Sequence, residues 1–391
     1  MFTIDAGLEV AASALGAALV GFATHLPLGS QLLLVALRPL LGGILGFRDR
    51  GRRLLLDQAE TGVVDLLVLG GTRFVGRVIV AEALARGWQV TALNRGITRD
   101  LPAGVTLLRA DRRDTEQLRT VLAGRTFDAV IDTWSGAPTV ATTAAAALVG
   151  SAEGYAYVSS CSVYAWGAHR DEDSPLVDGD ASAVDGDYPA LKRGAELGVV
   201  ASFPEAVLAR AGLILGPYED IGRLPWWLAR IAEGGPVVAP GRPRRPLQYI
   251  DVRDLTNWIL HALTTGLHGP IDVISRSGHA TTEQLLTACK DATGSDAEFR
   301  WVSETDLAAA GVQPWTQLPC WVPETGEFAG FLEADTSRAA AAGLLCRPIE
   351  ETVADTWAWL QTEGWPTRRH DRPTHGLPVE VERRLLAHAM P

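Results

Sequence analysis

Residues 65–76 read DLLVLGGTRFVG, and no other stretch limits the fold so strongly. Its first part, 66–69, is a short apolar run of the kind that forms a strand covered on both faces. Gly70 and Gly71 follow, then Gly76, and residues 77–85 have helical spacing. Strand, glycine turn and helix, in that order, is the context in which glycine spacing predicts a dinucleotide site. A turn without side chains lets backbone N–H groups approach a pyrophosphate. The helix N-terminus adds unpaired donors and a partial positive charge. The spacing departs from G-x-G-x-x-G, because Arg73 stands where a middle glycine is common. The candidate cradle is Gly70, Gly71, Thr72, Arg73, Phe74, Val75 and Gly76.

From Val63 the pattern alternates. Apolar runs at 90–93, 105–108, 129–131, 155–158 and 207–210 read as strands, separated by helical stretches rich in Ala, Leu and Arg. Such alternation predicts an α/β fold with a doubly wound parallel sheet and right-handed crossovers. Ligands then sit beyond the carboxyl ends of the strands. After Gly216 and Pro217 the pattern loosens, with a helix expected near Trp226 and a Pro/Gly/Arg-rich segment at 236–250. The expected organisation is an N-terminal apolar extension (1–64), a nucleotide-binding domain (65–216), a smaller substrate lobe (217–362, with part of the chain returning to the sheet) and a tail (363–391) on the surface.

A chain of 391 residues has room for such a domain and lobe. Its formal net charge of −11 argues against general nucleic-acid binding, since a phosphate backbone would be repelled on average. Four cysteines without a C-x-x-C pair suggest free thiols in a reducing, cytoplasmic setting rather than a disulfide framework. No metal site is expected. The apolar runs within 1–64 are too short to span a bilayer, and no basic region precedes the first, so a secretory signal is not expected. The basic cluster Arg48, Arg50, Arg52 and Arg53 could rest on a membrane surface, but an accessory helical pair is the favoured reading.

The chemistry-bearing residues fall where strands end. An NAD site commonly has Asp or Glu about 20 residues after the glycines, holding the ribose hydroxyls. Here that place holds Asn94 and Arg95, and an arginine there can pair with a 2′-phosphate, which favours NADP over NAD. Two solvated loop arginines are the plainer alternative. Asp111 could accept from an adenine amino group or merely cap a helix. The run YVSSCSVY (157–164) puts hydroxyls at a strand end, in itself an ordinary turn signal. YPALK (188–192) is more telling. Tyr188 and Lys192 lie one turn apart on a helix face. A nearby ammonium favours the phenolate, which makes the phenol a usable proton donor or acceptor. With 6 tyrosines and only Lys192 and Lys290 as lysines, a chance Y-x-x-x-K is expected roughly 0.03 times.

Taken together the motifs resemble the short-chain dehydrogenase/reductase superfamily, in its extended or atypical NAD(P)-dependent epimerase/dehydratase-like group. The resemblance runs over about 63–362 and rests on GGTRFVG, LNRG, VSSCSVY, YPALK, ARAGLILGP and QYIDVRDL. It implies a Rossmann-type fold with Tyr188 as acid/base and Lys192 holding the nicotinamide ribose and tuning the phenol. Ser160 would orient the substrate, with Ser162 in reserve. Arg73 in the glycine turn is similar to atypical members that include chloroplast stem-loop RNA-binding proteins. IDTW (131–134) departs from the family's usual fourth-strand ending. Asp251 and Asp254 are expected to fix the lobe through caps or ion pairs. The implied function is NADP-dependent hydride transfer between nicotinamide and a carbonyl or alcohol of a small molecule, in a protein that could form a homodimer. An NAD(P)-dependent epimerase or dehydratase acting on a sugar-like substrate is the alternative. A cofactor-bound RNA-binding or sensor protein without turnover is the alternative of another class.

Overall fold

Seven apolar segments pair side by side in the computed structural model, which describes residues 63–165, 167, 170–367, 369 and 372–388. They are β1 (Asp65–Leu69), β2 (Gln89–Asn94), β3 (Val105–Arg109), β4 (Phe127–Asp132), β5 (Ala152–Ser160), β6 (Val207–Ala211) and β7 (Gly269–Val273). All neighbours are parallel, in the order β7-β6-β5-β4-β1-β2-β3. The order reverses between β1 and β4, which opens a crevice beyond their carboxyl ends.

Both faces of this sheet are covered, which explains why β1 is apolar throughout rather than alternating. Leu66 and Val68 face helices α1 (Phe74–Ala85) and α6 (Val252–Thr265), meeting Ile79, Val80, Leu255 and Ile259. Leu67 and Leu69 face α2 (Thr115–Leu122), α3 (Pro138–Leu148) and α4 (Tyr188–Ser202), meeting Leu118, Ala144 and Val199. Asp251 caps α6, accepting from the Arg253 amide at 2.8 Å, and Asp254 accepts from Arg347. α6 and β7 lie late in the chain yet complete the sheet layer. The described residues belong to one compact unit, Leu55–Pro391.

The lobe has its own core. In it α5 (Arg223–Ala232), α7 (Thr282–Thr293) and α8 (Ile349–Glu363) bury Leu224, Trp227, Leu228, Leu286, Val353 and Leu360. The tail departs from its expected surface position. Leu377 and Leu385 are buried in the lobe core, and Arg230 on α5 donates to Glu382 of α9 (Val379–His388) at 2.9 Å. Apolar periodicity in 379–388 anchors the tail there. Among the described residues no helix is long and apolar enough to cross a membrane. The apolar extension before residue 63, with its basic cluster, lies outside the described residues.

Candidate active site

β1 delivers the chain into the glycine turn at the switch point. Gly70 and Gly71 run at φ of +132° and +105°, values that L side chains rarely adopt. A Cβ at Gly76 would stand 2.6 Å from the backbone nitrogen of Gly71, so the first turn of α1 presses directly on the loop. Arg73 costs no such strain, because its φ of −128° is open to any residue. Its side chain is half-exposed, 3.9 Å from Asp220. Replacing Gly76 by Ala should displace the turn. The expected result is loss of dinucleotide binding with the fold retained, read by cofactor titration beside circular dichroism.

The predicted residues share one cavity of about 710 Å³. Its walls include Gly70, Gly71, Thr72, Arg73, Phe74, Val75 and Gly76, then Asn94, Arg95 and Asp111, and finally Ser160, Tyr188 and Lys192. A volume in this range is ordinary for a small-molecule or cofactor site. A dinucleotide fits the donors present, with bare backbone at the turn and a helix N-terminus behind it. The loop after β2 opens with Arg95 and has no carboxylate before Asp100. Asn94 is partly committed, since its Oδ1 accepts from the Gly96 amide at 2.8 Å. Asp111 is tied to Arg113, which donates to it at 2.6 Å and holds the carboxyl down at about 2. The helix-capping role falls to Asp114, which accepts from the amides of Glu116 and Gln117.

The other end of the cavity lies beyond β5. Ser160 Oγ accepts from the Ser162 amide and donates to Ser162 Oγ, both at 3.1 Å, and Ser162 also lines the cavity. Asp187 caps α4 by accepting from the Ala190 amide at 3.0 Å, with Pro189 in the first turn. Tyr188 is therefore the first helical residue, 37% exposed, with its ring at the cavity wall. Lys192, one turn on, is buried. Its Nζ donates to the Val158 carbonyl at 2.7 Å, the Trp134 carbonyl at 2.8 Å and the Tyr157 hydroxyl at 3.1 Å. The Tyr188 hydroxyl is not among these partners. Burial pushes the ammonium down to about 7. On the buried face of α4, Glu196 accepts from Ser159 at 2.7 Å and from Arg210 at 2.9 Å, which pins the helix to β5 and β6.

Two groups escaped the sequence reading. One is a buried cluster behind the site. Arg112 donates twice to Asp132, at 2.7 and 2.6 Å, and the Tyr155 hydroxyl donates to the same carboxylate at 2.9 Å. The signal was present in Asp132, a carboxylate at the end of an apolar strand. The other comes from the tail, where Arg369, Arg372 and His375 line the cavity. Nothing in local spacing marks them, because only the path of the chain brings them there.

A glycine cradle at a sheet switch point, facing a tyrosine–lysine helix and a serine strand end across one cavity, is the layout of the extended short-chain dehydrogenase/reductase-like group. The chain belongs to the NAD dependent epimerase/dehydratase family, whose model matches residues 66–274. Among curated proteins it is 27% identical over 253 residues to the chloroplast stem-loop binding protein of 41 kDa b of Arabidopsis thaliana. That match spans 59% of this chain and 63% of the relative's length. Among solved structures it is similar to WbmH of Bordetella bronchiseptica in complex with NAD+, at 18% identity and a TM-score of 0.59. That likeness covers 77% of this chain and 99% of the other. UDP-glucose 4-epimerase of Thermus thermophilus, in complex with NAD, is 22% identical with a TM-score of 0.54. It covers 76% of this chain and 99% of its own. At such identities these likenesses show a shared fold.

Proposed function

We propose that the protein is an NADP-dependent oxidoreductase that moves hydride between nicotinamide and a carbonyl or alcohol of a small molecule. One observation carries this reading: the glycine cradle and the Tyr188 helix open into the same cavity. A bound nicotinamide supplies or accepts the hydride, and the chain's residues do the rest. Tyr188 gives the oxygen its proton in reduction and takes it in oxidation. Ser160 donates a hydrogen bond to that oxygen once its own proton turns away from Ser162. Lys192, held in place by two carbonyls and a phenol, turns a partly charged amine toward the ribose.

The choice of NADP rests on Arg95, which follows β2 where an NAD site commonly has a carboxylate of its own. Arg95→Glu should weaken NADPH binding by roughly 10- to 100-fold, the worth of a charge-assisted bond, and spare NADH. Fluorescence titration of both cofactors tests it. An unchanged ratio would return the choice to NAD.

The family match supports a second reading, epimerisation or dehydration of a sugar-like substrate, in which hydride is taken and returned at one site. It predicts turnover without net consumption of NAD(P)H. The curated relative's name raises stem-loop RNA binding as a third. The net charge of −11 weighs against it, and a gel shift that survives NADP saturation would favour it.

A further inference from the structure

The substrate end of the cavity holds positive charge that hydride transfer does not use. Arg223, the first residue of α5, lines it together with Arg372 and His375 from the segment after α8. Arg372 holds its guanidinium carbon 5.5 Å from the centre of the Tyr188 ring and donates to Ser135 Oγ at 3.1 Å. Arg223 sits 5.5 Å from the centre of the Trp315 ring, which meets Phe331 edge-on. The Nε of each arginine and Nδ1 of His375 are buried without a hydrogen-bond partner.

Most described arginines of this acidic chain are paired. Arg77 and Arg99 share Glu363, and Arg369, close to Arg372 in sequence, reaches Asp220 at 3.5 Å. Among the described residues, no carboxylate lies within ion-pair distance of Arg223 or Arg372. Glu219, four residues before Arg223, spends its oxygens on the amides of Arg223 and Leu224, and burial pushes its carboxyl up to about 7. It offsets the charge of Arg223 only in part. Buried N–H groups without acceptors are costly, so several in one cavity wall mark the place of an absent acceptor.

We propose that Arg223 and Arg372 form an anion subsite beside Tyr188, so that the substrate carries a carboxylate or phosphate close to the carbon that exchanges hydride. Planar guanidinium groups suit either oxyanion. His375, kept neutral near pH 7 because burial pushes it down to about 4, adds a hydrogen bond rather than charge. Trp315 and Phe331 give the same pocket an apolar wall. This deepens the reading above and rests on Tyr188 being the reacting phenol.

The test separates the two claims by measuring binding rather than turnover. Inorganic phosphate and malonate are titrated into the full chain, with and without NADP+, following tryptophan fluorescence against a Trp315→Phe control. Saturable binding is expected, weakened about tenfold or more in Arg372→Gln and in Arg223→Gln, and partly restored in Arg372→Lys. Tyr188→Phe and Arg95→Gln should bind the anion as the parent does. Preference for malonate or for phosphate assigns the group. Equal binding in the parent and both glutamine variants overturns the subsite, as does loss of binding only in Arg95→Gln, which would place the anion on the cofactor. If NADP+ fails to bind while the arginine dependence persists, the subsite stands and the cofactor assignment falls.

Discussion

Replacing Tyr188 by phenylalanine is expected to lower turnover by roughly 100- to 10,000-fold, the usual worth of a positioned acid or base. Cofactor binding should stay near the parent value. The change removes one oxygen at the cavity wall from a side chain that is 37% exposed, so little packing is lost. Helix α4 should persist, because Asp187 caps it and Pro189 presets its first turn. The phenol works next to a lysine whose three protons are already engaged by Trp134, Tyr157 and Val158. Lys192 can therefore act on Tyr188 through its field and through a ribose, with no direct bond required. Lys192→Met should then raise KM for the cofactor as well as lower kcat, whereas Tyr188→Phe should lower kcat alone. Single-turnover absorbance at the nicotinamide band separates the two. Parental turnover in Tyr188→Phe would end the assignment of the acid/base.

Much of this site was legible because its parts are local. The strand, glycine turn and helix at 65–85 are adjacent in sequence, and an i, i+4 pair on one helix needs no tertiary knowledge. β1, β2 and β4 were readable for a related reason: strands covered on both faces must be apolar throughout. What was hidden depends on distant contacts. Arg112 gives no local sign that it will pair with Asp132, twenty residues on, beneath the glycine turn. The tail looked like a surface extension because its many Pro and Arg residues usually stay exposed. Its anchors, Leu377 and Leu385, make sense only against the α5 core they complete. Arg372 then reaches the Tyr188 ring because of where that anchor holds the chain.

The second large effect should come from Arg112, and it should appear in stability before chemistry. Asp132 is fully buried, and Arg112 is 7% exposed. Besides Arg112 and Tyr155, Asp132 accepts from the Trp134 amide at 2.8 Å. Trp134 in turn offers its carbonyl to Lys192, so the cluster fixes the floor on which Lys192 rests. Arg112→Met keeps most of the volume but strands a carboxylate away from water. Breaking a buried pair in this way costs about 3–5 kcal/mol, more than either partner's loss of a neutral hydrogen bond would. Urea unfolding should show a lower midpoint at an unchanged slope. The double variant Arg112→Met/Asp132→Asn should recover part of the loss, because an amide can accept from the Trp134 amide through its oxygen and donate to the Tyr155 hydroxyl through its NH2 without carrying charge. A loss below about 1 kcal/mol in Arg112→Met would mean that water already reaches Asp132, since only a solvated carboxylate gives up its partner so cheaply. In that case Lys192 would sit on a soft floor, and its bonds to Trp134 and Val158 could not hold the ribose edge in place.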